Sequence, residues 1–217
     1  MEVRQHHAPY RHWDITGVLP GRFNLDLTTA GVPDRTWPGW VAYSSLWESG
    51  KRTCRNQDDM PAAVAAALQH LQSLEFARRL RQLSGIDGLI PAPFCHGGGL
   101  HVTEQGGRLD PHIDFAVHPD APYLERRLSL ILFCNTHTSG ALQLWNDDAR
   151  HVVAEYFPVT NRAVVFENSD VSFHSVSRHT EPADRVTLAV YYCAPIRPGV
   201  TRKRALWVPV RSSEGVT

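Results

Sequence analysis

His112 and Asp114 flank a single isoleucine, and His174 lies 60 residues beyond the aspartate. Two imidazoles and one carboxylate suit iron(II), because they offset only part of the metal's charge. They leave coordination positions where a 2-oxo acid can chelate beside O2. The chemistry in prospect is oxidative. His-x-Asp pairs are common by chance, and the 12 histidines of the chain supply many false partners. The surrounding sequence has to carry the specificity.

For the trio to converge, the 112–114 segment must be extended and a later strand must bring His174 beside it. Side chains two apart on a strand share a face, which gives His112 and Asp114 one direction. Beyond Gly97-Gly98-Gly99 the chain supplies such strands as short apolar runs at 100–102, 128–133, 141–145, 152–157, 163–166 and 186–192. Breaks at Thr138-Ser139-Gly140 and Asn146-Asp147-Asp148 predict hairpins. Ahead of them, Val64, Leu68 and Leu71, then Phe76, Leu80 and Leu83, recur at helical spacing. Asp58, Asp59 and Pro61 mark the helical start, Gly85 the stop, and Ser73 can cap a second helix, dividing the region into 60–72 and 74–84. Residues 1–40, with Tyr10, Trp13, Phe23 and Leu25, read as an irregular lead-in holding one early strand.

The expected fold class is mainly β with supporting helices, around a double-stranded β-helix (jelly-roll, cupin-like) core. A single domain over 1–217 is expected, with irregular and helical support over about 1–90 and the catalytic core over about 95–198.

Composition narrows the function classes. The 22 basic and 22 acidic side chains cancel, so no global field favours nucleic acid or an anionic membrane. Arg78-Arg79-Leu80-Arg81 reads as the wet face of a helix, since no aromatics interleave it. The triple glycine lacks the lysine and hydroxyl residue of a phosphate-binding loop, and reads instead as a turn or close backbone approach. Cys54, Cys95, Cys134 and Cys193 form no Cys-x-x-Cys pair and are expected as reduced thiols, with Cys134 and Cys193 buried. The first 14 residues carry no secretory pattern and no apolar membrane span follows, so a cytoplasmic protein is expected. A homo-oligomer stays open.

Four ordered segments add specificity: GGGLHVTEQGGRLDPHIDF (97–115), RRLSLILFCN (126–135), AVVFENSDVSFHSVS (163–177) and RVTLAVYY (185–192). Together, over roughly 95–198, they resemble the prolyl-4-hydroxylase-like branch of the 2-oxoglutarate and Fe(II)-dependent dioxygenases. The resemblance implies Fe(II), 2-oxoglutarate and O2 as cofactor and cosubstrates, with His112, Asp114 and His174 as metal ligands. The nearby His179 matches the distal-histidine segment less well. A retained Asp114 argues against halogenation, for which relatives carry a small residue there.

By the same resemblance Arg185, 11 residues after His174, meets the distal carboxylate of 2-oxoglutarate, and Thr187 adds a hydroxyl donor. His101 stands where relatives often use tyrosine, and is either a cosubstrate contact or a structural or substrate-facing residue. Ser129 approaches the same pocket across the barrel. Phe133 replaces a second tyrosine and cannot donate a hydrogen bond. Asn135 either supports the pocket or simply ends its strand. Arg127 and Tyr123, near the barrel mouth, are the candidates for substrate contact, and Trp145 either underlies the site or belongs to the core.

The implied activity is hydroxylation of an unactivated C–H bond in a small metabolite or natural-product intermediate, forming succinate and CO2. The small chain leaves little room for a separate recognition domain, which favours a small-molecule partner. A peptidyl-residue hydroxylase, or a desaturase or cyclase using the same oxidising chemistry, is the enzymatic alternative. A metal-binding jelly-roll module without turnover is the non-enzymatic one.

Overall fold

Every second residue of the strand Arg185–Pro195 belongs to the main apolar core, and the residues between point the other way. Val186, Leu188, Val190 and Tyr192 pack towards the helices, while Arg185, Thr187 and Tyr191 face a cavity. Leu100 and Val102 alternate with His101 and Thr103 in the same manner. Period-two alternation with both faces covered explains why these strands read as nearly continuous apolar runs.

The computed structural model describes residues 1–23 and 32–209, so Leu25 lies outside the described residues. In chain order the elements are β1 (Glu2–His6), β2 (His12–Thr16), β3 (Val41–Tyr43), β4 (Glu48–Cys54), α1 (Ala62–Leu71), α2 (Leu74–Ser84), β5 (Ile90–Pro91), β6 (Gly99–Ile113) and β7 (Leu124–Phe133). There follow β8 (Leu142–Trp145), β9 (Val152–Tyr156), β10 (Arg162–Glu167), β11 (His174–Val176), β12 (Arg185–Pro195) and β13 (Leu206–Trp207). The antiparallel sheet runs β1-β2-β10-β7-β12-β6-β11-β8-β9, with β4 and β13 added to β6. It curls on itself: Tyr10, Phe133, Phe166, Leu142 and Leu144 form one buried cluster, joining strands far apart in sheet order. His12 Nε2 lies 2.6 Å from the Tyr156 hydroxyl, bringing β2 against β9. The fold is a jelly roll backed by helices, as expected.

The helices form where the pattern places them. Ser73 Oγ accepts from Phe76 N at 3.1 Å and caps α2, while Gly85 ends it in the left-handed region at φ 69°. Val64, Leu68, Leu71, Phe76 and Leu80 are buried against the sheet, each contributing about 1.5–3 kcal/mol by leaving water. Tyr192 donates its hydroxyl to Leu71 O at 2.6 Å, fixing α1 over the sheet. Arg78, Arg79 and Arg81 are exposed around buried Leu80. All four cysteines are free and buried. Among the described residues no helix is long and apolar enough to cross a membrane.

Three elements depart from the expectation. The lead-in holds a hairpin, β1 paired with β2, rather than one strand. The hairpin β3–β4 was not foreseen, because its sequence is polar and one face is open to solvent or the cavity. Thr138-Ser139-Gly140 makes no hairpin: β7 lies between β10 and β12, so the turn crosses to the other wall of the roll, where β8 begins. The break at 146–148 does join the paired strands β8 and β9. The triple glycine is a close approach, since a Cβ on Gly99 would lie 2.1 Å from Cys54 O and one on Gly98 would lie 2.6 Å from Ala189 O.

Candidate metal and cosubstrate site

Strand register brings the two histidines together. His112 on β6 pairs directly with His174 on β11, and their ring centroids are 4.2 Å apart. Asp114 follows the end of β6, with Oδ1 3.8 Å from His112 Nε2 and Oδ2 3.9 Å from His174 Nε2. One ligand atom from each of the three lies within 4.8 Å of the others.

Backbone carbonyls set the histidine tautomers. His112 Nδ1 is 2.9 Å from Asp110 O and His174 Nδ1 is 3.0 Å from Ser172 O. A carbonyl only accepts, so both Nδ1 atoms carry the proton and both Nε2 lone pairs point at the shared centre. Burial lowers the pKa of each ring, and the mutual charge of the pair lowers that of His112 further, keeping the imidazoles neutral.

Burial alone would raise the pKa of Asp114, but the Arg126 guanidinium beside it outweighs that and holds the carboxylate ionised. Arg126 Nη1 approaches Asp114 Oδ2 to 2.7 Å as an ion pair. The guanidinium is clamped between Tyr191 and Phe115, 3.5 and 4.0 Å from the ring centroids, and its Nη2 donates to His96 O at 3.2 Å.

Behind the trio, Arg185 and Thr187 of β12 stand beside Thr103 and His101 of β6, residue for residue. Arg185 is buried, its Nε donates to Gly140 O at 2.6 Å, and its Nη2 has no hydrogen-bond partner among the described residues. Burial lowers its pKa to about 10, which leaves it charged at neutral pH. An unpaired buried donor on a cation is costly and marks a place for an anionic ligand. Burial, reinforced by the Lys51 charge, lowers His101 to about 3, and its Nε2 is likewise unpartnered. Two neutral imidazoles, a held carboxylate and this waiting guanidinium fit Fe(II) together with a dicarboxylate.

Residues 98–193 match the family model of the 2OG-Fe(II) oxygenase superfamily. This stretch belongs to that superfamily. The oxygenase uses Fe(II), 2-oxoglutarate and O2. No sequence among curated proteins matches the chain. Solved structures share the fold. A Pseudomonas putida prolyl-4-hydroxylase superposes with TM-score 0.56 at 17% identity, covering 91% of this chain and 95% of that one. A Trichoplax adhaerens prolyl hydroxylase, in complex with a hypoxia inducible factor peptide fragment, gives 0.54 at 15%, covering 83% and 82%. HygX from Streptomyces hygroscopicus, with nickel, 2-oxoglutarate and hygromycin B bound, gives 0.54 at 11%, covering 85% and 82%.

The oxygenase's central cavity measures about 560 Å³ and is lined by His112, Asp114, His174, Arg185, Thr187 and His101. The other candidate residues lie away from it. Ser129 is buried with its hydroxyl exchanging hydrogen bonds with Asn168 at 3.0 and 3.2 Å. Tyr123 is 69% exposed on the outer surface. Arg127 points to Glu125, with Nε 3.3 Å from Oε1, and its neighbour Arg126 enters the cavity instead. A β-bulge explains the exchange: Tyr192 pairs with Leu128 but Cys193 pairs with Arg126, so Arg127 is the extra residue and alternation resets across it. Phe133 lies under Arg185, its ring centroid 5.4 Å from the guanidinium carbon. Trp145 packs partly buried beside Ile113 and Phe173, donating to Ser175 Oγ at 2.7 Å.

Lys51 of β4 and Trp207 of β13 also line the cavity, and sequence reasoning passed over both. Trp207 pairs with His112 in register and stacks on its ring at 4.5 Å. Each lies outside the quoted motifs, on a short or polar strand whose partner cannot be read locally. The alternation Lys51-x-Thr53-x-Arg55 was the available signal for β4.

Proposed function

We propose that the oxygenase hydroxylates an unactivated C–H bond of a small metabolite or natural-product intermediate. In this reading Fe(II) and 2-oxoglutarate supply the oxidising chemistry, with succinate and CO2 as coproducts. His112 and His174 bind the metal through Nε2, and Asp114 through a carboxylate oxygen. Arg185 and Thr187 hold the distal carboxylate of 2-oxoglutarate. His101, neutral and unpartnered, offers a further contact beside Thr187. Arg126 keeps Asp114 ionised, and the aromatic clamp around Arg126 keeps water from that wall.

The observation that carries the reading is the paired orphaning within one cavity. Two Nε2 lone pairs and a half-buried carboxylate converge on one point, while the Arg185 Nη2 donor on the same sheet has no partner among the described residues. A cavity of about 560 Å³ matches the size of sites that enclose small molecules. A peptidyl-residue hydroxylase is the second reading, supported by β3, which among the described residues pairs with β4 alone and leaves its other edge unpaired beside the cavity.

An anaerobic Fe(II) and 2-oxoglutarate preparation, given a metabolite mixture and then oxygen, tests the proposal. The expected result is succinate formation coupled to a mass increase of about 16 Da in one component. Loss of about 2 Da would point to desaturation or ring closure. Succinate formation that never depends on an added small molecule, but does depend on a peptide, would overturn the substrate class.

A further inference from the structure

Three adjacent strands lay their polar residues in rungs across the cavity floor. Lys51 of β4 pairs with Thr103 of β6, which pairs on its other edge with Arg185 of β12. The next rung is Thr53, His101 and Thr187. Arg185 and Lys51 therefore face the same cavity from opposite sides of β6, about 10 Å apart at two strand spacings.

The cations of this cavity differ in what they already touch. Arg126 is engaged by Asp114, and Arg108 by Asp110. Arg185 sits in the proposed 2-oxoglutarate seat. Lys51 has one carboxylate neighbour, Glu48, at 3.3 Å. Arg55 has no carboxylate partner among the described residues and lines the same cavity. On the cavity-facing side, β4 and the residue after it thus offer an ammonium, a hydroxyl and a guanidinium against one carboxylate. Lys51 lines the cavity opposite Thr103, on the strand edge away from Arg185.

We propose that Lys51, Thr53 and Arg55 form an anion seat for the substrate, which is a small molecule bearing a carboxylate or phosphate group. This rests on the oxygenase reading of the cavity and adds a substrate charge to it. The anion binds on β4, across Thr103 and His101 from the cosubstrate on β12, so both negative ligands flank the metal without sharing a cation. Amines are disfavoured, because that wall sets the two cations Lys51 and Arg55 against the single carboxylate of Glu48.

Calorimetric titration of the Mn(II)- and 2-oxoglutarate-loaded protein with methyl phosphate and with acetate tests this, with ethylammonium as the opposite charge. Saturable binding of at least one anion is expected, with no binding of ethylammonium. Lys51→Met and Arg55→Gln should each weaken it about tenfold, while Lys51→Arg retains it and 2-oxoglutarate affinity is unchanged in all three. The stronger of the two anions identifies the group carried by the substrate. Unchanged anion binding in a folded Lys51→Met protein, or no saturable binding of either anion, overturns the seat. A fall in 2-oxoglutarate affinity equal to the fall in anion affinity also overturns it, because Lys51 would then serve the cosubstrate. Failure of the wild-type Mn(II) protein to bind 2-oxoglutarate defeats the oxygenase reading itself, a result distinct from loss of the anion seat alone.

Discussion

Asn135 grips the backbone on both sides of Arg185. Its amide donates to Asp184 O at 2.8 Å, and its carbonyl accepts from Val186 N at 2.9 Å. On the far side Gly140 O takes the Arg185 Nε proton, and a Cβ at Gly140 would come within 2.8 Å of Arg185 Cδ. The guanidinium is therefore aimed before any ligand arrives. Removing Asn135 frees the start of β12, takes the acceptor from Val186 N and leaves Asp184 O with only its longer contact to His137 Nε2 at 3.2 Å. Asn135→Ala should weaken 2-oxoglutarate binding to the Mn(II) protein about tenfold and lower stability by about 1–3 kcal/mol. Metal affinity should not change. Calorimetric titration with each ligand reads the split, and equal loss of both affinities would refute the positioning role.

Arg126, itself buried, is the counter-charge that keeps a half-buried Asp114 ionised. Without it the carboxylate is uncompensated, which costs several kcal/mol in a buried pair. Arg126→Met should destabilise the metal-free protein by about 3 kcal/mol, and saturating Mn(II) should recover much of the loss by supplying positive charge at the same carboxylate. Urea denaturation with and without Mn(II) measures both quantities. A loss of the same size in the two conditions would mean that the residue acts only through its packing between Phe115 and Tyr191.

The contrast between Arg126 and Arg127 shows where the sequence is legible. Helices capped at Ser73 and ended at Gly85 follow from local hydrogen bonding and left-handed glycine, both written in a few adjacent residues. Short apolar runs reveal β7, β10 and β12 for the same reason. The His112–Asp114 pair is local as well, and motif order supplied His174. A bulge, by contrast, exists only when two strands are paired, so the rotation of Arg126 into the cavity has no local signature. Lys51 and Trp207 share that limit, since their importance comes from registering against Thr103 and His112. Ser129 shows the converse, a polar residue in a matching motif whose hydroxyl is taken by Asn168.

The buried histidines make stability depend on pH. His12, His101 and His118 have pKa values lowered chiefly by burial, as do His112 and His174. The unfolded chain takes up these protons near pH 6.5, while the folded chain resists them to lower pH. Their contribution is therefore complete above about pH 6.5 and declines as the pH falls below it. His101, held down to about 3, contributes at most about 1.4 kcal/mol per pH unit in that window. Metal-free protein should lose denaturation free energy steadily from pH 6.5 to 5, and His101→Asn should lose it less steeply. Identical slopes for the two proteins would show that His101 is not kept neutral by the fold.

Trp207 offers a direct reading of the metal site. Its indole lies on the His112 ring at 4.5 Å and 24°, and Trp47 stacks near it at 6.2 Å, so the hairpin β3–β4 and strand β13 meet over His112. A transition-metal ion on His112 Nε2 would sit within a few ångström of that indole and quench its emission. Of the six tryptophans, Trp207 is the one paired in register with His112, a proposed ligand. Anaerobic titration with Co(II) should quench part of the intrinsic fluorescence with the stoichiometry of one site. Trp207→Phe should abolish most of that change while preserving binding seen by cobalt absorption, and Trp145→Phe should leave the quench intact. If Trp207→Phe retains the full quench, the metal does not bind beside His112. If it loses cobalt binding as well, stacking of the indole is needed to hold the imidazole for coordination.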